Sequence, residues 1–110
     1  MTSASVEGNL QEVRRGTVVL AALLLLREPG YGYSLLEALG AAGIQVDANT
    51  LYPLLRRLEQ QGHLTSQWDT SESRPRKFYR TSDAGDELAL TLLTEWDRLD
   101  GALRALREPT

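Results

Sequence analysis

The side chains best suited to chemistry in this chain lie between Asp47 and Gly62, in the stretch DANTLYPLLRRLEQQG. Asn49, Tyr52, Arg56 and Gln60 fall on or near one side of a helix drawn through it, and Leu51, Leu54, Leu55 and Leu58 share the other at i, i+3, i+4 and i+7. Asn and Gln amides can pair with an adenine edge, and an Arg guanidinium can read guanine or hold a phosphate. The chemistry on offer is recognition of a nucleic acid. The alternative for this stretch alone is a solvated amphipathic helix.

Catalytic and metal chemistry lack raw material. The chain has no cysteine, and His63 is its one histidine, so neither a thiolate or histidine metal cluster nor a catalytic triad can be assembled. No nucleophile–base pair and no phosphate-cradling glycine loop is present, and isolated carboxylates such as Glu59 and Asp69 do not make a site. The expectation is a protein that is not an enzyme and needs no cofactor.

A second basic stretch supports the first. The loop Thr70-Ser71-Glu72-Ser73-Arg74-Pro75-Arg76, followed by Lys77, ends in cations that can lie along a phosphate backbone or enter a minor groove. The alternative is a solubilising hairpin tip. The net charge is −3 with a pI near 5.1, which taken whole argues against nucleic acid. Its distribution argues the other way. Residues 56–80 carry six Lys or Arg against three Asp or Glu, whereas residues 81–110 carry three against seven. Binding needs a local field, not a global one.

These residues must be held by a small number of elements. A chain of 110 residues suits one small core. Met1 to Gly8 is small and polar and reads as a frayed terminus. Leu10 to Arg27 reads as a first helix, apolar all round in VVLAALLLL and therefore buried on most faces. Pro29 and Gly30 stop it. A second helix is expected from about Tyr31 to Leu39 or Ala42, with Gly40 and Gly43 at its exit. Gly32 beside Tyr31 and Tyr33 allows a close approach of two elements, with these tyrosines packed at the corner. Ser34 can bond a phosphate or cap the backbone. Ile44-Gln45-Val46 alternates like a minimal strand. Asp47 stands where an N-cap belongs. Pro53, six residues on, requires either a bend or a regular helix that begins only near Thr50 to Tyr52. Both options leave Asn49, Thr50 and Tyr52 at an exposed helix N-terminus, the end that attracts phosphate.

Beyond Gly62, His63 to Asp69 and Lys77 to Thr81 read as the two strands of a hairpin. Ser82 is the expected N-cap of a last helix, Asp83 to about Arg107, with Gly85 where a capping-box Glu would sit. Leu92, Trp96, Leu99, Leu103 and Leu106 then step four, three, four, three, which is a heptad seam. It asks for a partner helix, and a second copy of the chain is the favoured one. Trp96 either packs in that interface or lines a cavity that stacks flat aromatic ligands.

Helix, helix, strand, helix, hairpin is the order of a winged helix-turn-helix: mainly α with a small β-hairpin, the third helix in the major groove and the hairpin as wing. The segments YGYSLLEAL, ANTLYPLLRRLEQQGHL and SRPRKFYRTSDAG resemble the PadR family of bacterial transcriptional regulators, from about Leu10 to Leu106. The single C-terminal helix is similar to that of small-subfamily members, in one of which a tryptophan on this helix lines a dimer pore, and Trp96 has the matching place. The resemblance implies a homodimer, a recognition helix at 48–61, a wing at 63–81, and repression of an operator in double-stranded DNA relieved by an effector; an effector that binds at Trp96 would be a planar hydrophobic small molecule. It divides the chain into a winged helix-turn-helix DNA-binding domain, 1–81, and a C-terminal dimerisation helix, 82–110. Ser34, Asn49, Thr50, Tyr52, Arg56, Arg74, Arg76 and Lys77 are the expected DNA contacts. Leu92, Trp96, Leu99 and Leu103 are the expected effector and dimer interface. Two departures stand out: Ser73 where the family often has Gly, and Thr81-Ser82 where Leu-Thr is usual.

A winged-helix module that binds protein and no DNA is the alternative, with the acidic pI as its support. The longest apolar run, Val18 to Leu26, is nine residues, far short of the roughly 20 that span a bilayer. No signal-peptide pattern precedes it. The expected location is the cytoplasm.

Overall fold

A computed structural model describes residues 3–108. Four helices and three strands follow in the order α1 (Ser3–Leu25), β1 (Gly30–Tyr31), α2 (Gly32–Ala41), α3 (Ala48–Gln60), β2 (Leu64–Asp69), β3 (Arg76–Thr81) and α4 (Asp83–Arg107). The strands form one antiparallel sheet in the order β1-β3-β2. Mainly helical structure with a small sheet is what the sequence predicts, and it is a winged helix.

Three boundaries differ from the sequence reading. The first helix begins at Ser3, not Leu10; its opening turns are exposed and are supported by ion pairs such as Arg14–Glu7 at 3.1 Å. Of the expected frayed terminus, Met1 and Thr2 lie outside the described residues. Ile44-Gln45-Val46 is not a strand. Ile44 instead donates its N–H back to the Leu39 carbonyl at 2.8 Å, and Gly43 to Gly40 at 3.0 Å. With Gly43 at φ +90°, this is the left-handed closure that satisfies the last carbonyls of a helix. The third strand is Gly30–Tyr31, paired with Tyr79 and Phe78 of β3.

α3 ends by the same device. Gly62 has φ +84°, and the N–H groups of Gly62 and His63 return to the carbonyls of Glu59 and Leu58 at 3.0 and 2.9 Å. At its start, Asp47 accepts the Thr50 N–H at 2.8 Å, as its type predicts. Pro53 sits inside a helix already running from Ala48. The delayed start is therefore excluded: five helical residues precede the proline, and its ring costs one intrahelical bond to Asn49.

The core lies where the helices meet. Val18, Leu23 and Leu26 from the first helix and its exit, Leu35 and Leu39 from α2, and the four leucines of α3 are buried. Leu64, Tyr79 and Ala89 close it from the hairpin and α4. Gly85 is essential to that closure, because a Cβ there would collide with the His63 carbonyl and the Thr81 methyl. The missing capping-box Glu is thus a steric requirement. Ser82 caps α4 alone, accepting the Gly85 N–H at 3.0 Å and donating to the Gly62 carbonyl at 2.6 Å.

Candidate nucleic-acid interface

The burial of Leu51, Leu54, Leu55 and Leu58 fixes which side of α3 faces out. Asn49, Thr50, Pro53, Arg56, Arg57 and Gln60 are exposed on it. Among the described residues neither Arg56 nor Arg57 has an ion-pair partner, so this face presents uncompensated cations beside amides. Sequence reasoning does not single out Arg57, although its place four residues after Pro53 puts it on the outer face.

Tyr52 differs from expectation. It is half-buried, and its ring sits against Gly32 so closely that a Cβ there would clash with it. The close approach predicted at Gly32 is therefore real, with Tyr52 of α3 as the packed ring. Tyr33 is exposed. Ser34 is exposed in the first turn of α2 and caps nothing; the N-cap of that helix is Tyr31, which makes no side-chain capping bond.

The wing is β2, β3 and the exposed loop between them. Arg74 projects from that loop without an ion pair among the described residues. Arg76 and Lys77 are engaged. Arg76 lies 3.6 Å from Glu72 and 4.0 Å from Asp69, with its guanidinium carbon 4.1 Å from the centre of the Tyr31 ring. Lys77 Nζ is 3.0 Å from Glu59 Oε1 on α3, and Ser66 Oγ donates to Glu59 Oε2 at 2.5 Å. These bonds lower the Glu59 pKa, Ser66 contributing most and Lys77 next, while the same carboxylate raises the Lys77 pKa. Asp69 is held down to about 2 by Ser71 and by the Tyr31 hydroxyl. The Tyr31 pKa rises in return, chiefly through that bond. Adjacent residues alternate faces along a strand, so a carboxylate grips the hairpin on each side.

On α4, Leu92 packs against the chain's own core, while Trp96 is 38% and Leu103 62% exposed. Among the described residues, no group of three or more His, Cys, Asp or Glu side chains is placed to hold a metal ion, and no helix is long and apolar enough to cross a membrane.

The sequence profile of the Transcriptional regulator PadR-like family matches residues 19–90, which span α2, α3, the wing and the first turns of α4. The chain belongs to this family. A crystal structure of a PadR family transcriptional regulator from Eggerthella lenta is 46% identical, with a TM-score of 0.92, covering 97% of this chain and 96% of that one. A PadR-like transcription factor from Bacteroides fragilis is 30% identical with a TM-score of 0.75, covering 90% of this chain and 98% of the other. A transcriptional regulator of Mycobacterium tuberculosis is 40% identical over 55 residues, a match that spans half of this chain and 51% of that protein. A PadR-like chain is a DNA-binding transcriptional regulator and not an enzyme.

Proposed function

We propose that this PadR-like chain acts as a homodimeric repressor. The outer face of α3 reads the operator, and the wing lies against the flanking backbone. The carrying observation is that Asn49 and Thr50, exposed in the first turn of α3, share its outer face with Arg56 two turns on, which is exposed and has no ion pair among the described residues, while Leu51, Leu54, Leu55 and Leu58 on the other face are buried. That geometry suits entry into a major groove. Ser34 and Tyr52 flank this face in the proposed complex, and Arg74, Arg76 and Lys77 are the cations at the wing's tip. Residues 82–110 serve dimerisation and residues 1–81 serve DNA. The division is one of task, since Gly85 and Ala89 belong to the common core.

The seam of Trp96, Leu99 and Leu103, continuous with Leu92, meets its counterpart on the second copy. A planar hydrophobic effector stacks between the two Trp96 rings and shifts the pair of recognition helices out of register with the groove.

The test is a mobility shift on duplex DNA from upstream of the chain's own gene, across a salt series, with a scrambled duplex as control. Specific, salt-sensitive binding is expected. Arg56→Ala should weaken it by about 1–3 kcal/mol, roughly 5- to 150-fold, while leaving the oligomeric state unchanged. Equal binding by variant and parent would remove α3 from the interface. Repeating the shift with a planar hydrophobic dye reads the effector: the complex should dissolve, and Trp96→Ala should make it insensitive. A complex indifferent to such dyes would sink the effector reading.

A further inference from the structure

The tip of the wing, from Asp69 to Lys77, carries three cations, and their surroundings divide them. Arg74 is exposed on the loop and has no ion pair among the described residues. Lys77 and Arg76 are each faced by carboxylates: Glu59 from α3 for the first, Asp69 and Glu72 for the second. From Asp69 to Lys77 the hairpin holds three cations and two carboxylates. Adding Glu59, which reaches in from α3, brings its balance to zero. At the tip, the one charge left without a counter-charge beside it among the described residues is that of Arg74; Arg80, near the far end of β3, is also exposed and without an ion pair among them, but stands away from the tip.

The counterions released on binding come from the DNA, one set for each phosphate neutralised, and a cation already paired to a carboxylate can neutralise a phosphate only by giving up that pair. To reach DNA, Lys77 would have to leave Glu59, which would then stand unpaired beside an incoming polyanion. Meanwhile its present contacts do something else. Glu59 belongs to α3, Ser66 to β2 and Lys77 to β3, so one carboxylate ties the reading helix to both strands of the wing. On the other face, Asp69 of β2 meets Tyr31 of β1 and Arg76 of β3, its direct partner in the sheet register. The hairpin is fixed from both sides at points near its tip.

We propose that Lys77 and Arg76 are positioning residues that, through Glu59 and Asp69, set the angle of the wing relative to α3, and that direct contact of the wing's tip with DNA phosphate falls to Arg74. This rests on the DNA-binding reading of the surface. It assigns the two carboxylates a role in DNA binding even though their charge opposes it.

Three substitutions that keep the stem and drop the charge separate the roles: Arg74→Met, Arg76→Met and Lys77→Met. Each full-length variant is titrated with the upstream duplex across the salt series. Arg74→Met should flatten the log–log salt slope by about 0.9 for each phosphate that Arg74 neutralises in the parent. Lys77→Met and Arg76→Met should weaken binding by the same factor at every salt concentration, giving lines parallel to the parent's, and Lys77→Arg should restore the parent's affinity. In the free protein, amide exchange in β2 and β3 should quicken in Lys77→Met while that in α4 stays as it was. A slope flattened by Lys77→Met or Arg76→Met as much as by Arg74→Met would overturn the proposal, as would unchanged exchange in the hairpin. If the parent itself shows no salt-dependent binding, the DNA-binding surface is misassigned, and the exchange data alone decide whether the struts exist.

Discussion

At the scale of single residues, several side chains hold backbone groups that would otherwise be stranded. Thr81 is the clearest. The last four carbonyls of a helix lack intrahelical partners, and in α1 each finds one: Ala22 from Leu26 N–H at 2.9 Å, Leu24 and Leu25 from Arg27 and Glu28 N–H at 3.4 Å, and Leu23 from the Thr81 hydroxyl at 2.6 Å. That hydroxyl is buried, and the Thr81 N–H also bonds the Leu26 carbonyl at 2.8 Å. Thr81 is thereby a cap supplied from 58 residues away. Thr81→Val keeps the shape and removes the donor, leaving the Leu23 carbonyl buried and unpaired. Urea unfolding should show a loss of about 1–3 kcal/mol; a variant as stable as the parent would mean that another donor reaches this carbonyl. Local caps of this kind are legible in the sequence at Asp47 and Ser82, where the capping residue is next to what it caps. Thr81 is not, because its partner is distant in the chain.

At the scale of elements, the same distinction decides what the sequence reveals. The leucine period of α3, the heptad of α4, the glycine stops and the alternating strands of the hairpin are repeats or turn signals, and each produces the element expected from it. β1 has two residues and no period, so nothing announces it; it exists because β3 offers an unpaired edge to Gly30 and Tyr31. Ile44-Gln45-Val46 alternates but has no such edge beside it, and Ile44 is drawn into closing α2 instead. The ties between wing and α3 are equally silent in sequence, since Glu59 and Lys77 meet only after folding. Those ties make a prediction about pH. Glu59 and Asp69 titrate lower in the folded chain than in the unfolded one. Their stabilisation of the wing is therefore fully present above the ordinary carboxylate range and is lost as pH falls through the lowered values, which for Asp69 means toward about 2. Trp68 stands on β2 opposite Lys77 and is exposed, so its emission can report on the hairpin. In a Trp96→Phe background the emission should hold steady down to about pH 4 and then change on the acid side, the change moving to higher pH in Glu59→Gln. An acid transition that Glu59→Gln leaves in place would show that other carboxyls govern the wing.

At the scale of the whole molecule, the chain is less compact than its length allows. Its radius of gyration is 16.3 Å, against about 13 Å for a single compact domain of this size. The excess comes from the two long helices, whose outer turns have little to pack on. Leu10 and Val13 of α1 are exposed, and on α4 the exposure climbs along the seam from Trp96 to 82% at Leu106. A heptad that leaves its own core halfway along is the surface that the proposed dimer would bury. Under two-fold symmetry each such side chain is buried twice, once on each copy. Burying a leucine is worth about 1.5–3 kcal/mol, so Leu103→Asp, which removes two leucines and adds two charges, should raise the dimer Kd by at least about two orders of magnitude. Sedimentation across a concentration series measures this, with far-ultraviolet dichroism to confirm that the helices persist, as they should for a residue that is not part of the core. Weakened dimers should also release the upstream duplex more readily, because one copy presents one reading helix and a two-fold operator needs two. If Leu103→Asp sedimented as the parent does, the α4 seam would lie free in solution and the second copy would have to be sought on another face.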